Sequence, residues 1–161
     1  MFGLGGFEWA ALGAAMAAIG GGCGSAIGIT YVARIAAGIM TEDPNKFGRL
    51  LVIVALPGTQ GIYGFISAIL VIVFFNLLGG GGADIVSQQG FEVFIACLPI
   101  TVIGFVSGVF QGLTSVASAS LVGKREEEMG KAIVLPAMVE TYAVLALIVT
   151  IFLLMVARAS F

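Results

Sequence analysis

Four stretches of this 161-residue chain are long, apolar and almost free of charge. Trp9 to Ala33, Leu50 to Ala83 and Val93 to Gly123 carry no charged residue, and Ala132 to Ala157 carries only Glu140. Each exceeds the roughly 20 residues that an α-helix needs to cross the hydrocarbon of a bilayer. A closed β-barrel would instead need many alternating tracts of about ten residues, and none is visible. The expectation is an all-α membrane protein with four transmembrane helices, near residues 9–40, 47–80, 90–122 and 129–158. The first tract lacks a basic leading segment and is longer than the roughly 7–15 apolar residues of a signal peptide, so it is expected to be a span.

Composition narrows the functions. Charged residues make up 10% of the chain, against about 25% in soluble domains. The net charge of -2 provides no footing for nucleic acid. There is no histidine, the commonest general base and metal ligand. Cys23 and Cys97 both fall in expected helices and read as small apolar residues, not as a disulfide.

Basic residues suggest an orientation. Arg34, Lys46, Arg49, Lys124, Arg125 and Lys131 flank two of the connections, and the connection between them, "GGGGADIVSQQGFE", has none. The positive-inside rule places both basic hairpin loops in the cytoplasm and both termini outside. The acidic run Glu126 to Glu128 counts little in that rule and reads first as a solvated loop.

The chain also repeats itself. Gly20, Gly24 and Gly28 in the first expected helix match Gly104, Gly108 and Gly112 in the third, 84 residues on, and Thr30, Val32 and Ala33 match Thr114, Val116 and Ala117 at that offset. In the second and fourth helices the offset is 82, pairing Gly48 with Gly130, Val52 with Val134 and Thr59 with Thr141. This predicts two tandem-duplicated helical hairpins, residues 1–83 and 84–161, with the first loop two residues longer. Glycine at every fourth position lets helices approach closely. The first and third helices are therefore expected in a crowded layer with the second and fourth outside, an arrangement that an inner ring of helices from several chains would need.

The halves differ where it matters. Offset 82 sets Gly58 opposite Glu140, the lone carboxylate in hydrocarbon, and intramembrane acids are functional by default. Around Gly58, Leu56, Thr59, Gln60 and Tyr63 share one helix face. Pro57 and Pro136 lack the N–H that the carbonyls of Ile53 and Ala132 would use. Gln111 lies beside Gly112. A single intramembrane glutamine is accounted for by an interhelical hydrogen bond, but Thr59, Gln60, Gln111 and Glu140 around one pocket would make an oxygen cage for a hard cation. One negative charge balances one monovalent ion, sodium or a proton. Tyr63 reads as a donor orienting the carboxylate.

With "LPGTQGIYGF", "GVFQG" and "MVETYA" as its anchors, nearly the whole chain resembles the duplicated membrane rotor-ring subunit, or proteolipid, of V-type and A-type rotary ATPases. It looks most like the sodium-translocating bacterial type. The resemblance implies a homo-oligomeric ring in the plasma membrane that turns against a stator subunit supplying an arginine. It implies central-stalk subunits docked on loops 41–46 and 123–128, and sodium held by the Leu56 carbonyl, Thr59, Gln60, Gln111 and Glu140, with Tyr63 bonded to the glutamate. No phosphate-binding GxxxxGK[ST] occurs, so ATP turnover is expected on other subunits and this chain is expected to be non-catalytic. Two other classes remain open, a proton-coupled small tetraspan transporter and a structural tetraspan protein.

Overall fold

The computed structural model describes residues 3–80 and 84–159; the expected boundary between the halves abuts Gly81 to Ala83, outside the described residues. Its helices are α1 (Gly6–Glu42), α2 (Phe47–Ala55), α3 (Thr59–Phe74), α4 (Ser87–Lys124) and α5 (Met129–Ala159). A 3₁₀ turn at Leu56–Gly58 joins α2 to α3. Among the described residues, four helical spans are long and apolar enough to cross a membrane: Gly6–Glu42, Pro44–Phe74, Ser87–Lys124 and Glu126–Ala159.

The second span stops at Phe74, short of the end expected near residue 80. Asn76 takes a left-handed conformation (φ 47°). The amide of Leu77 bonds to the Ile72 carbonyl (3.0 Å), and that of Asn76 to the Val73 carbonyl (3.3 Å). This is a Schellman motif, with asparagine in the left-handed position it tolerates better than most residues. Leu77 then packs on the core cluster that holds Val71 and Phe75, which fixes the stop.

The prolines act differently in the two halves. At Pro57 the helix tightens into the 3₁₀ turn, where Gly58 follows with its poor helix propensity. At Pro136 α5 runs on without interruption, since the residues after it are good helix formers.

α1 and α4 run parallel and touch backbone to backbone. A Cβ built on Gly24 would lie 2.6 Å from the Phe105 carbonyl oxygen, and one on Gly108 would lie 2.6 Å from the Gly24 carbonyl carbon. Gly20 meets the backbone of Thr101, Gly28 that of Gly108, and Gly112 that of Gly28. Any side chain there would force the helices apart. α3 rests on α1 through a second set of small residues: Gly64 against Ala17, Gly21 against Gln60, and Gly61 against Ser25. The expected crowded α1–α4 layer is present, with α3 and α5 packed on it.

This geometry corrects the register of the repeat. The two hairpin loops are equal in length, not two residues apart. Each helix end is capped by one extended residue, Asp43 (φ -141°, ψ 95°) or Arg125 (φ -141°, ψ 91°). A three-residue 3₁₀ turn follows, Pro44–Lys46 or Glu126–Glu128, and the next helix starts at Phe47 or Met129. Every one of these pairs is 82 apart (125 − 43, 126 − 44, 129 − 47). The glycine triplets 84 apart are instead the two sides of one seam. When equivalent helices stand side by side they offer opposite faces to each other, and two residues turn an α-helix by about 200°. Small residues that meet across the seam are therefore shifted by two from the true duplicates.

Charges tie the loops together. Lys46 donates to the Gly123 carbonyl (2.7 Å) and sits 3.6 Å from Asp43 and 3.8 Å from Glu126. Arg49 pairs with Glu126, and Lys131 with Glu128 at 2.6 Å. The acidic run is thus partly a clamp between hairpins.

Candidate ion-binding site

Glu140 lies midway along α5, half-buried, and faces α3 and α4. The Tyr63 hydroxyl donates to its Oε1 at 2.6 Å. The Gln111 amide donates to its Oε2 at 3.2 Å. Gln60 in turn donates to the Gln111 Oε1 and to the Ser107 hydroxyl at 3.3 Å. Tyr63 and Gln60 come from α3, Ser107 and Gln111 from α4, and Glu140 from α5. Hydrogen bonds therefore join three helices and both halves of the chain at one depth.

The local folding explains why these side chains converge. Gln60 and Tyr63 project from the first turns of α3, which restarts just after the 3₁₀ turn at Leu56–Gly58. Gly61 and Gly64 let that part of α3 sit against α1, with the Gly61 amide bonded to the Ser25 hydroxyl at 2.8 Å. The glycine seam draws α4 against α1, which brings Gln111 and Ser107 within reach of Gln60. Ser107 also donates to the Val139 carbonyl (3.1 Å), pinning α5 one residue before Glu140.

Gln60 and Gln111 are both fully buried. The Gln60 Oε1 has no hydrogen-bond partner among the described residues. A buried acceptor left unpaired costs about 1–3 kcal/mol, and a cation would remove that cost. The donor set is all oxygen: a carboxylate, two amide oxygens and a serine hydroxyl, which suits a hard cation.

Of the six expected site residues, Gln60, Gln111, Glu140 and Tyr63 are joined in one network. Thr59 and Leu56 pair with each other at its edge, the Thr59 hydroxyl donating to the Leu56 carbonyl at 3.2 Å. That carbonyl also accepts the Thr59 amide. Ser107 escaped the sequence reading, although it lies one turn from Gln111 on the same face (i, i+4), a spacing that would have flagged it.

The first half repeats the frame without the chemistry. At offset 82, Ser25, Ile29, Pro57 and Gly58 stand for Ser107, Gln111, Val139 and Glu140. A Cβ built on Gly58 would meet only the Ile29 Cδ1, at 3.5 Å. The pair that hydrogen-bonds in the second hairpin is thus an apolar contact in the first.

Comparison with known proteins adds the lineage. The ATP synthase C-subunit family matches twice, at residues 12–71 and 94–153, again 82 apart at both ends (94 − 12 and 153 − 71). The V-type sodium ATPase subunit K of Enterococcus hirae is 40% identical over 151 residues, covering 94% of this chain and 93% of that protein. The A-type ATP synthase subunit K of Methanocaldococcus jannaschii is 36% identical over 144 residues, 89% of this chain and 60% of that one.

Proposed function

This chain belongs to the ATP synthase C-subunit family as a duplicated rotor-ring proteolipid, and we propose that it carries one sodium ion per copy across the membrane on Glu140. The carrying observation is the network Gln60–Gln111–Glu140–Tyr63, whose two glutamines are fully buried and whose Gln60 oxygen is orphaned. Sodium is the cargo. Glu140, Gln111, Gln60, Thr59 and the Leu56 carbonyl are its proposed ligands, which requires Thr59 to turn its hydroxyl from the Leu56 carbonyl. Tyr63 holds the carboxylate in place.

Charge in a low-dielectric medium supplies the mechanism. With sodium bound, Glu140 is neutralised and the site can pass lipid. Bare, the carboxylate in hydrocarbon costs about 2.5 kcal/mol or more, so it is exposed only beside a counter-charge and water. An arginine on a separate stator subunit is the proposed counter-charge. Each cation moved across 100 mV carries about 2.3 kcal/mol, which rotation couples to ATP hydrolysis or synthesis on other subunits. The two loops joined by Lys46, Arg49 and Glu126 are the proposed cytoplasmic docking face for the central stalk, with both termini outside the plasma membrane. The protein itself turns over no nucleotide.

Both oxygens of Glu140 accept hydrogen bonds from fixed donors, an arrangement suited to an ionised carboxylate and a metal cation. The test is carbodiimide modification of Glu140 at fixed pH with and without sodium. Sodium protects the residue if this reading holds. Equal labelling in both conditions would transfer the role to a proton, and labelling elsewhere alone would remove Glu140 from the mechanism.

A further inference from the structure

We propose that Ser107 is a positioning residue of the ion site: its hydroxyl, held by the Val139 carbonyl, keeps the Gln60 amide turned with its nitrogen toward α4 and its oxygen left for the cation. The inference rests on the sodium reading above and deepens it, because it gives a role to a residue outside the proposed ligand set.

Ser107 behaves unlike its neighbours on α4. Thr101, Thr114 and Ser120 each donate to the carbonyl four residues back on their own helix, those of Cys97, Phe110 and Val116. That is the ordinary bond of a hydroxyl in a membrane helix. Ser107 crosses to α5 instead and donates to the Val139 carbonyl at 3.1 Å, one residue before the acid. It is only 4% exposed, so its hydroxyl is out of solvent.

The consequence is direction. A hydroxyl has one proton to donate and two lone pairs, and a main-chain carbonyl only accepts. With its proton committed to Val139, Ser107 can only accept from Gln60, whose Nε2 lies 3.3 Å away. The other end of the network imposes the same sense. In the sodium-carrying state Glu140 is ionised and only accepts, so the Gln111 amide donates to it at 3.2 Å and turns its own Oε1 to the Gln60 nitrogen. Both N–H groups of Gln60 are then taken, one by Ser107 and one by Gln111. Its buried Oε1 is the atom left over, without a partner among the described residues. Two groups that only accept, a peptide carbonyl and a carboxylate, thus fix which end of Gln60 a cation meets.

Turning the Gln60 amide over would set its oxygen against the Gln111 Oε1 and against a hydroxyl oxygen whose proton is engaged elsewhere. Acceptors that face each other out of solvent are left unpaired, and the amide gives up two bonds at once. The frame by itself does not demand this sense. Ser25, the duplicate of Ser107, accepts from the Gly61 amide at 2.8 Å, whereas Ser107 donates to a carbonyl. The donating serine stands in the half that holds the acid, and it acts by orienting Gln60.

The test is a coupling cycle, read as the sodium concentration that halves carbodiimide labelling of Glu140 in the detergent-solubilised assembly at fixed pH. Ser107→Ala should raise that concentration roughly three- to tenfold, the effect of one lost hydrogen bond, with Gln111 still holding the other N–H of Gln60. In a Gln60→Leu background, which has no amide to orient, Ser107→Ala should change it by less than about twofold. No change in the first background, or an equal loss in both, overturns the inference and leaves the sodium reading standing, since the serine would then at most tie α4 to α5. Should sodium no longer protect the Gln60→Leu chain, Ser107→Thr decides, because it keeps the hydroxyl: protection close to wild type supports the role, and a loss as large as that of Ser107→Ala overturns it. Should Ser107→Ala fail to assemble, Ser107→Cys, a weak donor and acceptor, takes its place with the same expected result. A wild-type protein that sodium does not protect overturns the sodium reading and this inference with it.

Discussion

The two hairpins share one frame and differ in a handful of side chains. In the second, Ser107, Gln111 and Glu140 form hydrogen bonds; in the first, Ser25, Ile29 and Gly58 occupy the same places, with Ile29 packed toward Gly58. Gln60 and Tyr63 on α3 complete the charged site, and their duplicates Tyr142 and Leu145 on α5 cannot offer the same bonds. The serine survives in both halves because it serves backbone: Ser25 accepts from the Gly61 amide, and Ser107 donates to the Val139 carbonyl. What separates the proposed ion site from a packing contact here is therefore the coordinated change of several positions around one acid. Helix placement is common to both.

That comparison can be broken at the acid. Glu140→Gln makes the second half as uncharged as the first; it should weaken sodium binding by about 2–5 kcal/mol, the cost of truncating one partner of a buried charge pair. Sodium-dependent ATP turnover by the assembled complex should be lost, and retained turnover would show that the halves do not differ in function. Tyr63→Phe removes one charge-assisted bond while keeping the ring. Sodium affinity, read by isothermal titration, should fall by about 1.5–3 kcal/mol, with assembly unchanged.

Gly108→Leu tests the seam on which both frames stand. Backbone on the far side cannot retreat as a side chain would, so the loss should reach the upper end of the roughly 1–3 kcal/mol typical of overpacking. A fall in the melting temperature of the detergent-solubilised protein would register it. At the smallest end, Ile29→Gln restores one amide to the first half without its acid. The number of sodium ions bound per chain should stay the same, and an increase would mean that the amide, not the carboxylate, creates a site.

Much of this was legible in the sequence for a physical reason. Bilayer thickness sets helix length, so uncharged tracts announced the four spans, and the cost of a carboxylate in hydrocarbon singled out Glu140. Gln60, Gln111 and Tyr63 were readable because polar groups at that depth must turn inward. Three features were not readable in the same way. The glycine triplets 84 apart mimic a duplication register, and only the packing of α1 on α4 shows them to be opposite sides of one contact. The end of α3 rests on Asn76 in a left-handed conformation, which a hydropathy pattern continuing to Leu78 conceals. Ser107 was passed over because a serine in a membrane helix normally bonds its own backbone, although its i, i+4 spacing from Gln111 pointed to it.

The central claim is one acid and one sodium per duplicated chain. Equilibrium binding of radioactive sodium to the purified, delipidated assembly, normalised to chain concentration, tests it most directly. The account predicts one ion per chain, abolished by Glu140→Gln. Two ions per chain, or one ion that survives that substitution, would contradict it.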